Sequence, residues 1–544
     1  FFPFKTPPHL KRMPAQNYGY SPLGVNVGHY MPFSDQTSGW KCLSIFCCLL
    51  NAVMFIYITE FFNGWKLQIP QYAIDLTHGT TQSRPPPPSA GGLALGTATS
   101  GKLFKLDKKV HAFAGPYNQI NIKQSNKKVK FTKRCESDNW IVLTTIFNVT
   151  SAILDYNKIN GWCTVIAGDK KSLKKELYNT YLNTNKVVYL DVNEQLEIFK
   201  QLNTFETYDI IPFNHFGRKN LGFLYAIMNG AKYVYDTDDD NKVVEPYNKD
   251  GIPILGNDND KKFKIKVMND DRIKDQLTFN VFLLWSKTFI WPRGYDISAL
   301  TESFKWHKTV KLENKEITAN NDRTKNDYII QQWLSNIEPD YDALERLIGK
   351  NIDYNDPKFT MQYIFDDEKD ANGDYYAVSI PNHIYIPFNA QMTIWDYRSH
   401  LFLYLPITVH GRVSDIWRSY FAETIMDTLA INGVTNWKLL YCPVLVNQYR
   451  NSHNYLADFQ SELPLYLQTN ELLKFLHKFA NEYDIKKAGY GKSVDINNVN
   501  IGQILLDLYI SLYEYDVLKI DDVKGIYSWI NDIVNTIGWN QNKW

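Results

Sequence analysis

An aspartate-rich segment is the part of this sequence best suited to chemistry. The stretch AKYVYDTDDDN, residues 231–241, is a short apolar run that ends in four carboxylates within five positions. Carboxylate oxygens are the ligands that hard divalent cations prefer, so clustered aspartates favour Mg²⁺ or Mn²⁺ as the cofactor. The predicted metal ligands are Asp236, Asp238, Asp239 and Asp240.

Other uses of clustered aspartates demand particular neighbours. An EF-hand calcium loop beginning at Asp236 needs Gly at its sixth position and Glu at its twelfth, and this chain has Asn241 and Tyr247 there. The aspartate-based phosphatase pattern needs Thr or Val where Asp240 stands, and it follows the first strand of its domain rather than the fourth. Two alternatives remain: a solvated acidic turn, or the D-x-D site at which nucleotide-sugar transferases hold a metal and a diphosphate.

A basic helix start precedes the aspartates. In RKNLGFLYAIMNG, residues 218–230, apolar residues recur with helical spacing and a glycine ends the run. Cationic side chains and free backbone N–H groups at a helix N-terminus suit a phosphate group, although a basic first turn on a surface helix has the same sequence. The predicted donor-binding residues here are Arg218, Lys219 and Asn220.

Two later segments supply further candidates. WPRGYDI, residues 291–297, holds Arg293 in a turn, where it could clamp an anion or simply pack. In GRVSDIWRSY, Asp415 is the candidate catalytic base, although Asp415 and Arg418 are spaced to form an intrahelical surface pair. The full set of predicted donor-binding residues downstream is Arg293, Asn389, Gln391, Arg412 and Arg418.

Continuous apolar runs predict the elements that position these residues. Strands are expected within 139–147, 162–169, 186–191 and 231–235, with polar helical stretches between them. Buried runs that alternate with helices are typical of a parallel sheet covered on both faces, which predicts an α/β fold. The acidic segment then follows the fourth strand, at the sheet edge where ligands of open α/β sheets bind.

The N-terminal part predicts a membrane anchor and a linker. Residues 42–62 form an apolar run of the length that crosses a bilayer, with positive charges before it that favour a cytoplasmic tail at 1–41. Residues 63–135 are expected to be a stem, because 77–101 are rich in Pro, Gly, Ser and Thr. Lys and Arg total 59 against 58 Asp and Glu among 544 residues, so no global charge attracts nucleic acid.

Modification sites follow from the same layout. Asn148 begins the sequon Asn-Val-Thr and would be a glycosylation site if the body is luminal. The three cysteines outside the apolar run allow one disulfide or none. Cys135 and Cys163 flank the first two predicted strands, and they are the favoured pair.

Several motifs together resemble one known family. NWIVLTTI, GWCTVIAGDKK, GRKNLGFLYAIMNGAKYVYDTDDDN, WPRGYDI, QQWLSNIEPDYDALERL, PFNAQMTIWDYRSHLFLYLP, HGRVSDIWRSY and YRNSHNYLADFQSE are similar to the STELLO family of plants and its nematode homologues. The resemblance runs from about 138 to 465. In the plant members Arg and Gly follow the D-x-D-D motif, so Asp240 and Asn241 depart from the pattern.

The resemblance implies an organisation and a function. It implies a nucleotide-diphospho-sugar (GT-A-like) domain at 136–440 with a mixed, mostly parallel sheet and flanking helices, an insertion at about 242–380, and a helical C-terminal region at 441–544. It also implies a single-pass type II Golgi membrane protein with a luminal body that transfers sugar from a nucleotide-sugar donor to a glycan, lipid or protein acceptor, with inversion. The alternative is a catalytically silent scaffold that assists the assembly of other Golgi membrane glycosyltransferases.

Overall fold

The described part of the chain covers most of its C-terminal three quarters. The computed structural model describes residues 134–200, 206–245, 247–255, 263–268, 270–286, 288–307, 312–313, 327–348, 375–450, 454–488 and 499–539. The predicted tail (1–41), the predicted anchor (42–62) and all but the end of the predicted stem lie outside these residues. Among the residues described, no helix has the length and apolar character that crossing a membrane requires.

One sheet organises the described residues. Its eleven strands are β1 (Asn139–Thr144), β2 (Cys163–Ala167), β3 (Val187–Leu190), β4 (Tyr233–Thr237), β5 (Asn241–Val243), β6 (Phe263–Met268), β7 (Leu312–Glu313), β8 (Tyr328–Asn336), β9 (Tyr375–Ser379), β10 (Met392–Asp396) and β11 (Lys438–Gln448). Their order is β3-β2-β1-β4-β10-β8-β11-β9-β6-β7, and β5 pairs with β11. Strands β5, β6, β9 and β10 run opposite to the others, so the prediction of a mixed, mostly parallel sheet is confirmed.

The helices cover both faces of this sheet. They are α1 (Ser151–Tyr156), α2 (Lys175–Tyr181), α3 (Val192–Phe199), α4 (Glu206–Ile210), α5 (Lys219–Met228), α6 (Tyr247–Asp250), α7 (Leu300–Trp306), α8 (Ala343–Ile348), α9 (Gly411–Ile431), α10 (Tyr455–Glu482), α11 (Ile485–Ala488), α12 (Ile501–Glu514) and α13 (Ile520–Asn531). Trp140 and Val142 of β1 enter one hydrophobic cluster, and Ile141 and Leu143 enter the other. Because successive side chains point to opposite faces, a strand covered on both sides must be apolar throughout, which is why β1 reads as a continuous run.

The central part of the chain differs from the predicted insertion of loops and short helices. Residues 328–336 form β8, a buried strand that lies between β10 and β11 inside the sheet. The polar residues Gln331 and Gln332 hide this strand in the sequence, yet both are buried. Gln331 exchanges hydrogen bonds with the backbone of Leu255, which satisfies its amide in the core.

The C-terminal region is helical after β11, as the sequence predicts, but it shares the core of the sheet. Leu465, Leu505 and Trp529 belong to the same hydrophobic cluster as Trp140 of β1. Helix α10 packs against α9, and α13 packs against α4. The described helices beyond residue 454 are therefore part of one packed body with the sheet.

A disulfide lies near the N-terminal end of this packed body. Cys135 is bonded to Cys163 at the start of β2, which is the pair that the sequence favours. The third described cysteine, Cys442, is a buried free thiol in β11. The disulfide joins the chain just before β1 to the neighbouring strand, across 28 residues.

Candidate functional site

The carboxyl ends of the parallel strands meet at one edge of the sheet and build a cleft. Thr145 follows β1, Asp169 follows β2, Asp238 follows β4 and Arg450 follows β11. Strand β10 runs the other way, so Gln391 comes to the same edge just before this strand begins. These five residues line one cleft of about 530 Å³, together with residues from the start of α9.

The first aspartate of the acidic segment points away from this cleft. Asp236 is fully buried, and its two oxygens lie 2.6 Å from Lys219 Nζ and 2.8 Å from Arg418 Nη2. Burial alone would lower the pKa of Lys219, but the carboxylates of Asp236 and Asp238 outweigh it and raise that pKa. Asp236 is therefore already neutralised by two protein cations, and it does not line the cleft. The structure does not place it as a metal ligand.

The next three aspartates do line the cleft. Asp238 is bonded to Lys219 Nζ at 3.0 Å and its side chain is 25% exposed. Asp239 accepts a hydrogen bond from the Thr145 hydroxyl, and burial raises its pKa to about 6. Asp240 accepts from Gln448 Nε2 at 3.4 Å, and burial together with the two preceding carboxylates raises its pKa to about 7. The tip thus holds more negative charge than its surroundings neutralise.

The carboxylates at the tip of β4 supply only part of the ligand shell that a divalent cation needs. Within the described ranges, no group of three or more His, Cys, Asp or Glu side chains is arranged to hold a metal ion. Mg²⁺ commonly takes only one or two protein carboxylates and completes its shell with phosphate oxygens and water. Asp238 and Asp239, adjacent in sequence and both facing the cleft, meet that smaller requirement.

A buried arginine joins two more carboxylates on the opposite wall. Arg293 donates to Asp340 at 3.0 and 2.9 Å and to Asp415 at 3.0 and 2.8 Å. Burial alone would raise the pKa of Asp340, but Arg293 outweighs it and holds that pKa at about 2. The predicted surface pair between Asp415 and Arg418 is absent, because each side chain instead crosses to a different element.

The hydrogen bonds of Asp415 matter for its predicted role as the catalytic base. Both of its oxygens accept from Arg293, and Oδ2 also accepts from the Ala390 N–H at 3.2 Å. These hydrogen bonds fix both carboxylate oxygens against Arg293 and the loop that contains Ala390. Asp415 lines the cleft, but both of its oxygens already accept hydrogen bonds from other residues of the protein.

Four predicted donor-binding residues lie behind the cleft rather than in it. Arg218 is buried and donates to Gln195 and to the Ile211 carbonyl. Asn220 exchanges hydrogen bonds with the backbone of Leu405, at 3.0 and 2.8 Å. The first turn of α5 is covered by protein on all sides, so its polar groups are used to join elements. The remaining two, Asn389 and Arg418, bond to Asp340 and Asp236 respectively.

The other predicted donor-binding residues face the cleft or support it. Arg293, Gln391 and Arg412 line it, and Lys219 holds Asp238 from behind. Asn148, the predicted glycosylation site, is exposed beside Phe147 at the cleft mouth.

Several cleft residues were missed in the sequence. Thr145 and Asp169 lie at the carboxyl ends of the first two predicted strands, so the sheet-edge rule could have found them. His215 and His410 each accept a backbone N–H through Nδ1, at 2.9 and 3.2 Å, and line the cleft at helix starts. Two more missed residues belong to a strand end that the sequence did not reveal: Gln448 is the last residue of β11, and Arg450 follows it.

The cleft holds polar atoms that the protein leaves without partners. Asp240 Oδ1, Gln391 Oε1, Gln448 Oε1 and Arg450 Nη1 are each shut off from solvent and have no hydrogen-bond partner among the described residues. Buried polar atoms in folded proteins are nearly always paired. Ordered water or a polar ligand in the cleft would supply their partners.

Comparison with known proteins confirms the resemblance seen in the motifs. Residues 412–539 match the family described as STELLO glycosyltransferases. The chain is 22% identical over 417 residues to an Arabidopsis thaliana protein named "Probable glycosyltransferase STELLO2", which covers 74% of this chain and 46% of that protein. The corresponding values for "Probable glycosyltransferase STELLO1" of the same plant are 22% over 414 residues, 75% and 45%. The chain thus spans about half the length of the curated relatives it matches.

Proposed function

We propose that this chain, which is similar to STELLO glycosyltransferases over about three quarters of its length, transfers a sugar from a nucleotide-sugar donor to an acceptor hydroxyl with the help of Mn²⁺ or Mg²⁺. The observation that carries the proposal is the group of carboxylates at the tip of β4, which line a cleft at the carboxyl edge of the sheet and exceed the cations that neutralise them. A metal bound to a diphosphate would supply the missing positive charge.

The donor side of the cleft would be formed by the ends of β1, β2 and β4. Asp238 and Asp239 would hold the metal, whose chemistry is to neutralise charge on the diphosphate as it leaves. Lys219 orients Asp238 from behind, and the Thr145 hydroxyl orients Asp239. Asp169, at the end of β2, lies where a ligand of an open α/β sheet meets the strand ends, so the nucleoside is assigned to this side.

The acceptor side would be formed by the residues near β11. The free oxygens of Gln391 and Gln448 can accept hydrogen bonds from sugar hydroxyls. Asp240 lies on this side because it is bonded to Gln448, and its Oδ1 has no partner among the described residues. We assign to Asp240 the removal of the acceptor proton, and to Asp415 the positioning of Arg293. A single displacement assisted in this way inverts the anomeric carbon.

The metal assignment is tested by nucleotide binding. Asp238→Asn is expected to abolish manganese-dependent binding of UDP and GDP in calorimetric titrations of the purified chain. Asp271→Asn is the matched control, since Asp271 is 89% exposed and pairs only with Lys274. Unchanged manganese-dependent binding in the Asp238 variant would remove the metal site from the proposal.

The assignment of Asp240 as the base is tested by measuring turnover as well as nucleotide binding. Asp240→Asn is expected to keep manganese-dependent nucleotide binding and to lower the turnover of a nucleotide sugar by about 100-fold or more, the range for loss of a general base. Turnover is measured as sugar transfer, or as slow hydrolysis of the donor. A variant that loses binding and turnover together would show that Asp240 is a metal ligand instead.

The Golgi location and type II anchor are part of the same proposal. The Cys135–Cys163 disulfide supports an oxidising compartment, since structural disulfides persist in the secretory pathway and are rare in the cytosol. The predicted anchor at 42–62 lies outside the described residues. Protease treatment of sealed microsomes from expressing cells should leave the body protected, and digestion of the body without detergent would contradict luminal placement.

A further inference from the structure

One arginine of the cleft makes no hydrogen bond or ion pair within the described part of the chain. Arg293, Arg412 and Arg450 all line the cleft. Arg293 is held by two aspartates, and Arg412 donates from Nε to Glu462 at 2.7 Å. Arg450 makes no hydrogen bond or ion pair with any residue that the structure describes. It is therefore the one cleft arginine, among the described residues, with donors to spare.

Arg450 is half-buried, and part of its guanidinium lacks a partner among the described residues. Its Nη1 atom is shut off from solvent. Burial, with the neighbouring cations Arg346 and Arg412, lowers its pKa to about 10, so the guanidinium stays charged at neutral pH. A bidentate oxyanion is the partner that a guanidinium fork fits best.

The neighbours of Arg450 show on which side of the cleft it lies. It follows Gln448, which donates to Asp240, and the Tyr449 N–H donates to the Asp240 carbonyl at 3.1 Å. Asp239 instead bonds to Thr145 at the end of β1. The two neighbouring aspartates thus face opposite ends of the cleft, and Arg450 lies at the end away from the β1 and β2 loops.

We propose that Arg450 forms an anion subsite that binds a carboxylate or phosphate group of the substrate on the acceptor side of the acidic tip. This inference rests on the proposed function, which assigns the donor diphosphate to Asp238 and Asp239. Two sources carry the required oxyanion: the carboxylate of a uronic acid on the donor sugar, and the phosphate of a phosphorylated acceptor. The enzyme would accordingly act on an acidic sugar substrate rather than on a wholly neutral pair.

The test compares charged and neutral ligands on an Arg450→Gln variant of the full chain. Calorimetric titrations with MnCl₂ use UDP-glucose, UDP-glucuronate and, with and without UDP, glucose 6-phosphate. Loss of a charge-assisted hydrogen bond should weaken the anionic ligand by about 10- to 100-fold and UDP-glucose by less than about twofold. A response to UDP-glucuronate identifies the donor sugar as the source, and a response to glucose 6-phosphate identifies the acceptor. Arg272→Gln, outside the cleft, is the matched control.

Three results would overturn the inference. One is equal weakening of UDP-glucose and UDP-glucuronate, which would place Arg450 on the diphosphate. Another is unchanged binding of both UDP-glucuronate and glucose 6-phosphate. The third is a melting temperature of the ligand-free variant well below that of the parent, which would show that Arg450 has a structural partner. Failure of the proposed function is distinct, since UDP would then show no manganese-dependent binding while glucose 6-phosphate alone still reports on Arg450.

Discussion

At the scale of single residues, charged side chains hold the site together in pairs that join distant segments. Asp236 binds Lys219 of α5 and Arg418 of α9, and Arg293 binds Asp340 and Asp415. Breaking a buried pair leaves a charge without compensation, which costs far more than the net gain from forming the pair. These residues are therefore expected to matter for stability as well as for the shape of the cleft.

Removal of the Arg293 guanidinium should show how much stability is lost when a buried ion pair is broken. Arg293→Gln leaves Asp340 and Asp415 buried without a cation, and the expected loss is about 3–5 kcal/mol in the free energy of unfolding, measured by urea denaturation. Lys305→Gln is the control, because its exposed pair with Glu302 should contribute about 0–1 kcal/mol. Adding Asp340→Asn and Asp415→Asn to the Arg293 variant should recover part of the loss. Equal stability of the Arg293 and Lys305 variants would contradict the assignment.

At the scale of elements, α9 orders the segment that leads to the cleft. Its buried carboxylates Glu423 and Asp427 accept the backbone N–H groups of Ile386 and His383, at 3.1 and 2.9 Å. Those residues precede Gln391, which lines the cleft. The helix therefore fixes a loop by hydrogen bonds to its backbone, and its acidic face is structural rather than catalytic.

The pH dependence of stability should report on Asp427. Burial raises the pKa of Asp427 to about 7, above its value of about 3.9 in the unfolded chain. Between these two pH values the native state binds more protons than the unfolded state, so the free energy of unfolding falls as pH rises through that window. Asp427→Asn keeps the acceptor oxygen and carries no charge. It should flatten this slope and be more stable than the parent at pH 8.

Thermal unfolding from pH 4 to pH 8 checks this expectation. From pH 4 to pH 8 the Asp427 variant should avoid a loss in the free energy of unfolding of about 1.4 kcal/mol for each unit by which folding raises the pKa of Asp427. Asp521→Asn on α13 is the control, since that side chain is 61% exposed and pairs with Lys524. Parallel pH profiles for the parent and the Asp427 variant would rule out the buried titration.

The sequence predicted those strands whose burial shows as a continuous run of apolar residues. The first four strands were found because both faces of the sheet are covered, which makes each strand a continuous apolar run. β8 was missed because Gln331 and Gln332 interrupt its run, and their hydrogen bonds come from segments distant in sequence. The same reason applies to Arg218 and Arg418, since a basic residue and its buried partner are brought together only by the tertiary fold.

At the scale of the whole molecule, the cleft needs the C-terminal helices as well as the sheet. Glu462 of α10 accepts from Arg412 at the start of α9 and from the Ala343 N–H at 2.8 Å. It thereby joins α10 to α8 and to the start of α9, which lines the cleft. The helical region beyond residue 454 supports the candidate site directly, and the part of the chain that matches the STELLO family model, 412–539, contains this support.

The disulfide should contribute to the stability of the whole body. Closing a loop of 28 residues is worth about 3 kcal/mol in the chain-entropy view. Reducing agent should lower the melting temperature of the parent and leave a Cys135→Ser variant unchanged. Mass spectrometry of an unreduced digest should find Cys135 linked to Cys163 and Cys442 as a free thiol. A linked peptide that contains Cys442 would contradict the pairing.

The position of this disulfide also governs how mechanical load enters the protein. Tension drawn through the chain from its N-terminal side meets Cys135 before it meets β1, and the covalent bond passes the load to Cys163 at the start of β2. β1 lies between β2 and β4 and is hydrogen-bonded to both. Load shared in this way acts on two adjacent parallel strands in shear, across many hydrogen bonds at once, instead of peeling β1 away one bond at a time. The crosslink thus shields β1 from pulling, and the last residue of β1, Thr144, directly precedes Thr145 beside the carboxylates of the cleft.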